Sequence, residues 1–234
     1  MKDLLRQLDT IIKNQCYVSI DEIRTLIKRI QKSPHGTVNL MNSLINRKQT
    51  IRNNVSYTDG MIFVAVYNSK ITSVQKTLKV HFSEGIVKLE SAKNMNYLAL
   101  YKALASQEFL RADIITKKCL SQLAGLNNCS SRQWLYFTDI YKLPETDLKT
   151  IDKLWRVYSY GKFGYSIQRK IWLSNNKDWD KFWQTIGWQI NNKMIRYPDE
   201  FTWNQEALPG HLPLWNQLRG VQVISAFFNH SVWQ

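Results

Sequence analysis

The chain has 234 residues, of which 44% are hydrophobic and 21% charged, with a formal net charge of +14. That length suffices to bury a sizeable core in one large or two small domains, and no run approaches the roughly 20 apolar residues of a membrane-spanning helix. Cys16, Cys119 and Cys129 share neither metal-ligand nor redox-pair spacing, which points to a reduced compartment.

In chain order, residues 3–13 place Leu4, Leu5, Leu8, Ile11 and Ile12 on one helical face. Asp3 and Asp9 make this start unlike a signal or transit peptide, so the protein is expected to work where it is translated. In "SIDEIRTLIKRIQ", Ser19 and Glu22 have capping-box spacing ahead of Ile23, Leu26, Ile27 and Ile30, and "SPHG" stops the helix. Further helices are predicted in "TVNLMNSLINRK", "GMIFVAVYN" and "SVQKTLKVHF", completing a small helical bundle. Periodicity fades from Ile86 to Asn96, which places a linker near residues 88–96 and two domains, 1–90 and 91–234.

A helical hairpin follows in "YLALYKALASQEFLRADIITKKCLSQLAG", broken near Ser106 and stopped at Gly125, and then a polar loop "LNNCSSRQ". "ETDLKTIDKLWRVYSYGKF" sets Leu148, Ile151, Leu154, Trp155 and Tyr158 on one face, with Gly161 as its cap and with Asp147 and Asp152 expected on the solvated side. Arg156, Lys162, Arg169 and Lys170 are expected to face solvent or a partner. Helices are also read in "SIQRKIWLS", "DWDKFWQTIGW" and "NQLRGVQVISAFF". Between the last two, residues 191–215 lose all periodicity yet hold Tyr197, Phe201, Trp203 and Trp215, and a loop of that length is more often functional than not.

The charge is uneven. Residues 1–133 hold 20 Lys and Arg against 9 Asp and Glu, whereas all nine tryptophans lie from Trp134 to Trp233. Single-strand nucleic-acid platforms interleave stacking rings with cations, so this segregation argues against one. The basic half suits an acidic protein surface or anionic lipid. "GKFG", residues 161–164, fits the phosphate-clamping GXXG pattern, but Gly161 as a helix cap and Gly164 as a point of close approach is the simpler reading. The histidines His35, His81, His211 and His230 are scattered, and no phosphate-cradling loop or nucleophile elbow occurs. The chain therefore reads as a non-enzyme.

The blocks "WLYFTDIYKLPETDLKTIDKLWRVYSYGKFGYSIQRKIWL", "DWDKFWQTIGW", "RYPDEFTW" and "GHLPLWNQLRGV" resemble, in order, the genomes-uncoupled family of tetrapyrrole-binding regulators of magnesium chelatase. Residues 1–90, with "YTDG" and "FSEGIVKL", resemble the N-terminal bundle of cyanobacterial members. The resemblance implies an all-α protein, an N-terminal helical bundle followed by a cupped-hand domain. It also implies that protoporphyrin IX or magnesium protoporphyrin IX is the bound ligand. The implied partner is the large porphyrin-binding subunit of the chelatase, in plastid stroma or cyanobacterial cytoplasm and partly peripheral on membranes. A monomer that contacts no nucleic acid is expected.

By the same resemblance Phe137 is a palm aromatic, Asn216 and Arg219 are pocket positions, and Gln222 stands where cyanobacterial relatives carry a second arginine. Trp203 and Leu212 complete the expected tetrapyrrole-binding set, with Trp203 on a finger loop. No metal ligand or catalytic residue is assigned; His211 is open to two readings, reaching a bound magnesium or pinning its own loop. The rival functions are an RNA-binding module built on "GKFG" and the basic half, and a ligand-free adaptor.

Overall fold

The helices read from periodicity form in the computed structural model, which describes residues 2–14, 18–126, 132, 134–214 and 221–234. The chain divides into two units: Met1–Lys88 with Val157–Tyr160, and Leu89–Arg156 with Gly161–Gln234.

The first unit is a helical bundle of α1 (Lys2–Asn14), α2 (Ile20–Lys32), α3 (Gly36–Asn46), α4 (Lys48–Asn53), α5 (Tyr57–Tyr67) and α6 (Thr72–His81). The α2 capping box forms as its spacing predicts, Ser19 accepting the Glu22 N–H while the Glu22 carboxylate accepts the Ser19 N–H. Ile23, Leu26, Ile27 and Ile30 then turn inward. α5 is apolar on every side because it runs through the middle, packed against α2, α3 and α6. Its Gly60 is needed there: a Cβ would sit 1.9 Å from the Val157 carbonyl oxygen. The buried Asp59 caps α5 through Ser56 and pairs with Arg47 at 2.7 Å. The Tyr158 ring lies 5.7 Å from that of Phe63, and its hydroxyl accepts the Ile86 N–H at 3.2 Å.

The second unit contains α7 (Leu98–Ala105), α8 (Phe109–Leu123), α9 (Phe137–Ile140), α10 (Glu145–Tyr158, whose last two residues belong to the first unit), α11 (Tyr165–Ser174), α12 (Trp179–Thr185) and α13 (Gln222–Phe228). A two-stranded antiparallel hairpin, β1 (Gln189–Ile190) with β2 (Lys193–Met194), is the sheet among the described residues. The fold class is all-α, as expected. Trp155 is the centre of this core: it has no exposed surface, its indole N–H donates to Thr116 Oγ1 at 3.0 Å, and Phe109 stacks on it at 6.0 Å.

Three expectations change. Asp147 and Asp152 do not face solvent; both are buried. Asp147 accepts from the Tyr97 hydroxyl at 2.6 Å, the Ala92 N–H at 2.9 Å and the Ser91 hydroxyl. Asp152 accepts from the N–H and hydroxyl of Ser166, both at 2.8 Å, and so caps α11 from α10. Second, of the four cations expected to face solvent or a partner, Lys162 and Arg169 are half-buried and hold backbone, Lys162 donating to the Gln205 carbonyl at 2.6 Å and Arg169 to the Phe228 carbonyl at 2.7 Å, whereas Arg156 is exposed as expected while pairing with Asp152 at 3.3 Å. Third, short α4 and α9 arise where no helix was read, and the last helix is described only from Gln222.

Candidate functional site

The turn "GKFG" comes first, because it fixes what lies around it. Gly161 has φ 79° and donates its N–H to the Arg156 carbonyl at 2.7 Å, closing α10 in the left-handed cap its sequence predicts. Gly164 has φ 130°, and a Cβ there would meet Asp152 Oδ1 at 3.0 Å and Arg156 Cγ at 2.9 Å. Its N–H donates to the Leu212 carbonyl at 3.0 Å, and the Gly210 N–H to the Lys162 carbonyl at 2.9 Å. Two backbone donors of the turn are thus engaged, that of Gly161 with the end of α10 and that of Gly164 with the loop 205–212.

That loop is pinned from within. Gln168 donates to the carbonyls of Gly210 and Pro213, at 2.9 and 2.8 Å, and the Trp188 indole to the His211 carbonyl at 2.8 Å. His211 Nδ1 lies 2.7 Å from the Ile186 carbonyl, and Nε2 accepts the Thr202 N–H at 3.2 Å. This pairing selects the neutral tautomer with the proton on Nδ1, and burial lowers the imidazole pKa from its usual value. His211 therefore pins the loop, and neither ring nitrogen is free for a metal. Among the described residues no cluster of His, Cys, Asp and Glu could hold one.

Tyr197, Phe201 and Trp203 form a cluster, with Tyr197 to Trp203 at 5.8 Å and Phe201 to Trp203 at 5.7 Å between ring centroids. Trp203 is half-buried, its indole donating to the Pro198 carbonyl at 2.8 Å. Leu212, at the end of the loop, has no exposed surface. At the loop's end the Leu214 N–H donates to Asp113 Oδ1 at 2.8 Å, while Asp113 Oδ2 pairs with Lys117 at 2.9 Å. The Lys117 ammonium sits 3.8 Å from the Tyr197 ring centroid. Burial raises the Asp113 carboxyl pKa and the neighbouring lysine opposes the rise.

α9 has only four residues and is held by its ionic surroundings. Asp139 is buried, accepts the Tyr136 N–H at 2.9 Å, and pairs with Arg132 at 2.6 Å and Lys142 at 3.3 Å. The hydrogen bond from Arg132 brings its pKa down to about 2. The Arg132 guanidinium also covers the Tyr136 ring at 4.4 Å. As a result Tyr136, Phe137 and Tyr141 stand 46%, 45% and 66% exposed on one short element, a ledge of apolar rings of the kind that marks a binding site. α9 packs on α13, whose apolar face, Val223, Ile224, Phe227 and Phe228, is buried and whose first residue, Gln222, is exposed.

The structure thus brings together the elements that carry Phe137 and Gln222. Trp203 belongs to the aromatic loop cluster, and Leu212 to its support. Asn216 and Arg219 lie outside the described residues, as does most of the polar loop "LNNCSSRQ". The described chain stops at Leu214, tethered to α8, and resumes at Val221, entering α13. Tyr136, Tyr141, Asp139 and the pair Asp113–Lys117 beside Tyr197 were not singled out in the sequence, although Tyr197 itself was; for α9 the aromatic density of "LYFTDIY" was the available signal. No described helix is long and apolar enough to cross a membrane.

The ycf53 protein of Pyropia yezoensis is 52% identical over 176 residues, covering 75% of this chain and 74% of that one. The Ycf53-like protein of Synechocystis is 44% identical over 174 residues, covering 74% of each. The chloroplastic tetrapyrrole-binding protein of Arabidopsis thaliana is 38% identical over 136 residues, covering 54% of this chain and 51% of that one. The structure of GUN4 from Chlamydomonas reinhardtii superposes with a TM-score of 0.58 at 39% identity, covering 63% of this chain and 96% of that one. Residues 90–231, which include the ledge, the pinned loop and α13, match the GUN4-like family, and the chain belongs to that family.

Proposed function

We propose that this chain binds protoporphyrin IX or its magnesium form and, as a non-catalytic carrier, stimulates magnesium chelatase through the chelatase's large porphyrin-binding subunit. The Arabidopsis relative is named for tetrapyrrole binding. The observation that carries the reading is the exposed ring ledge of Tyr136, Phe137 and Tyr141 on an element fixed against α13.

A porphyrin is a flat apolar disc with two propionates at one edge. Burying its face against Phe137 and the loop aromatics, Trp203 among them, would gain about 25 cal/mol for each Å² of apolar surface. Leu212 shapes the site from below by holding the loop to Gly164. Arg219 supplies a bidentate partner for a propionate, Asn216 a second polar contact, and Gln222 an uncharged donor. His211, with both ring nitrogens engaged by its own loop and Ile186, would not serve as a ligand to a bound magnesium. Plastid stroma or cyanobacterial cytoplasm is the compartment this function requires, with peripheral membrane contact through the basic surface.

The test is a titration with protoporphyrin IX and its magnesium form, following quenching of tryptophan emission, with Phe137→Ala and Arg219→Ala in parallel. Saturable quenching weakened by both substitutions is expected. Unsaturable quenching, or affinity untouched by either substitution, would sink the assignment and leave the adaptor reading. Chelatase stimulation is then assayed with the same variants.

A further inference from the structure

Asp113, on α8, is a carboxylate with no exposed surface. A buried ion pair is a poor source of stability, because well-packed apolar residues of similar volume often serve as well. What sets Asp113 apart is what it reaches. Its Oδ1 accepts the Leu214 N–H at 2.8 Å, and its Oδ2 pairs with Lys117, one turn further along α8, at 2.9 Å. The Lys117 ammonium in turn lies 3.8 Å from the centroid of the Tyr197 ring, a cation–π contact. One carboxylate thus holds the Leu214 end of the aromatic loop directly and the Tyr197 end through a single lysine.

Tyr197 is the ring for which this matters. It is 39% exposed and belongs to the loop cluster, its centroid 6.2 Å from that of Phe201 and 5.8 Å from that of Trp203. Gln168, Trp188 and His211 hold Thr202 and residues 210–213; on Tyr197 the hold from α8 comes through Lys117. A lysine at the protein surface turns its ammonium to water unless a partner keeps it. The Lys117 side chain is 36% exposed, and its pairing with Asp113 is what keeps the ammonium over the ring.

We propose that Asp113 and Lys117 are positioning residues for tetrapyrrole binding. The charged pair fixes Tyr197 and the Leu214 end of the loop, so that Tyr197, Phe201 and Trp203 stand as one preformed set of rings. It acts through the loop and not by touching the ligand. A flat ligand then meets rings already in place and is spared the cost of ordering them. This inference rests on the tetrapyrrole function proposed above, and adds to it a pair of residues on α8.

The test is a titration of the full chain with protoporphyrin IX, followed by the absorbance of the ligand. The parent is compared with Lys117→Met, Lys117→Arg and Asp113→Asn/Lys117→Met. The double variant removes both charges and nearly keeps both volumes, and Asn still offers an acceptor to the Leu214 N–H. Its unfolding midpoint should therefore stay near the parent's, while its affinity falls by about fivefold or more. Lys117→Met should also bind more weakly. Lys117→Arg, which keeps the charge and can lie over an aromatic face, should recover most of that loss.

A parent that binds saturably, with variants that bind equally well, would overturn this inference and leave the function standing. A parent without saturable binding would overturn both. Loss in Lys117→Met that Lys117→Arg does not recover would overturn the role of the charge. A double variant whose affinity fell only in step with its folding would reduce the pair to a structural one, against the proposal.

Discussion

Two single side chains decide much of the second unit's behaviour. His211 is buried and neutral, and burial lowers its pKa from 6.5. A lowered folded-state pKa contributes stability that is fully present above the unfolded value and lost as pH falls from about 6.5 towards the folded one. The stability gap between the parent and His211→Asn should therefore narrow as pH drops from 7 to 5, measured by denaturant unfolding. A gap constant with pH would mean that His211 is not held neutral. Gln222 is the second case. It opens α13 on the exposed side, where a neutral donor is worth about 0.5–1.5 kcal/mol against roughly 1.5–3 for a hydrogen bond to a charged group. Gln222→Arg should tighten porphyrin binding by about fivefold to tenfold, corresponding to about 1–1.4 kcal/mol, as read by tryptophan quenching. Unchanged affinity would show that no propionate reaches this position.

At the scale of elements, what the sequence discloses depends on how local the cause is. The α2 capping box and the Gly161 cap lie within a few residues of the helices they limit, and both form as read. Asp147 and Asp152 were misplaced because their partners, Tyr97 and Ser166, lie 50 and 14 residues away, and helical periodicity carries no trace of such pairs. α9 is a further instance. Four residues are too few to show a period, and the element exists because Asp139 ties the Tyr136 N–H, Arg132 and Lys142 together. Phe137 was legible only through resemblance, while the ring ledge beside it needed the structure. Asp139→Ala should therefore unfix α9, costing about 1 kcal/mol for the lost cap and weakening porphyrin binding although residue 139 itself is buried. The Asp139 carboxyl, held at about 2 instead of 3.8, contributes stability above its ordinary pKa that is lost as pH falls towards 2. Parent and variant should accordingly converge in stability below about pH 4, by acid unfolding followed with circular dichroism. Porphyrin affinity equal to the parent's would show that the ledge does not carry binding.

On the scale of the whole molecule, charge and rings are divided along the chain. Residues 1–88 hold 14 Lys and Arg against 6 Asp and Glu, and no tryptophan. The ring ledge, the pinned loop and α13 all lie beyond Leu89. We therefore propose separate carriers for two kinds of interaction with different physics. Apolar burial of a porphyrin depends on area and little on salt, while attraction of an acidic protein or lipid surface is screened over about 8–10 Å at ordinary ionic strength. Reversing Lys28, Arg29 and Lys32, exposed on the polar face of α2, removes cations without touching the α2 core residues. If the first unit serves docking, this variant should keep its porphyrin affinity, stimulate the chelatase less at low salt, and approach the parent as salt is raised. Loss of porphyrin binding in proportion to stimulation would show that the two carriers do not act independently. Unchanged stimulation at every salt concentration would remove this face of α2 from the docking surface.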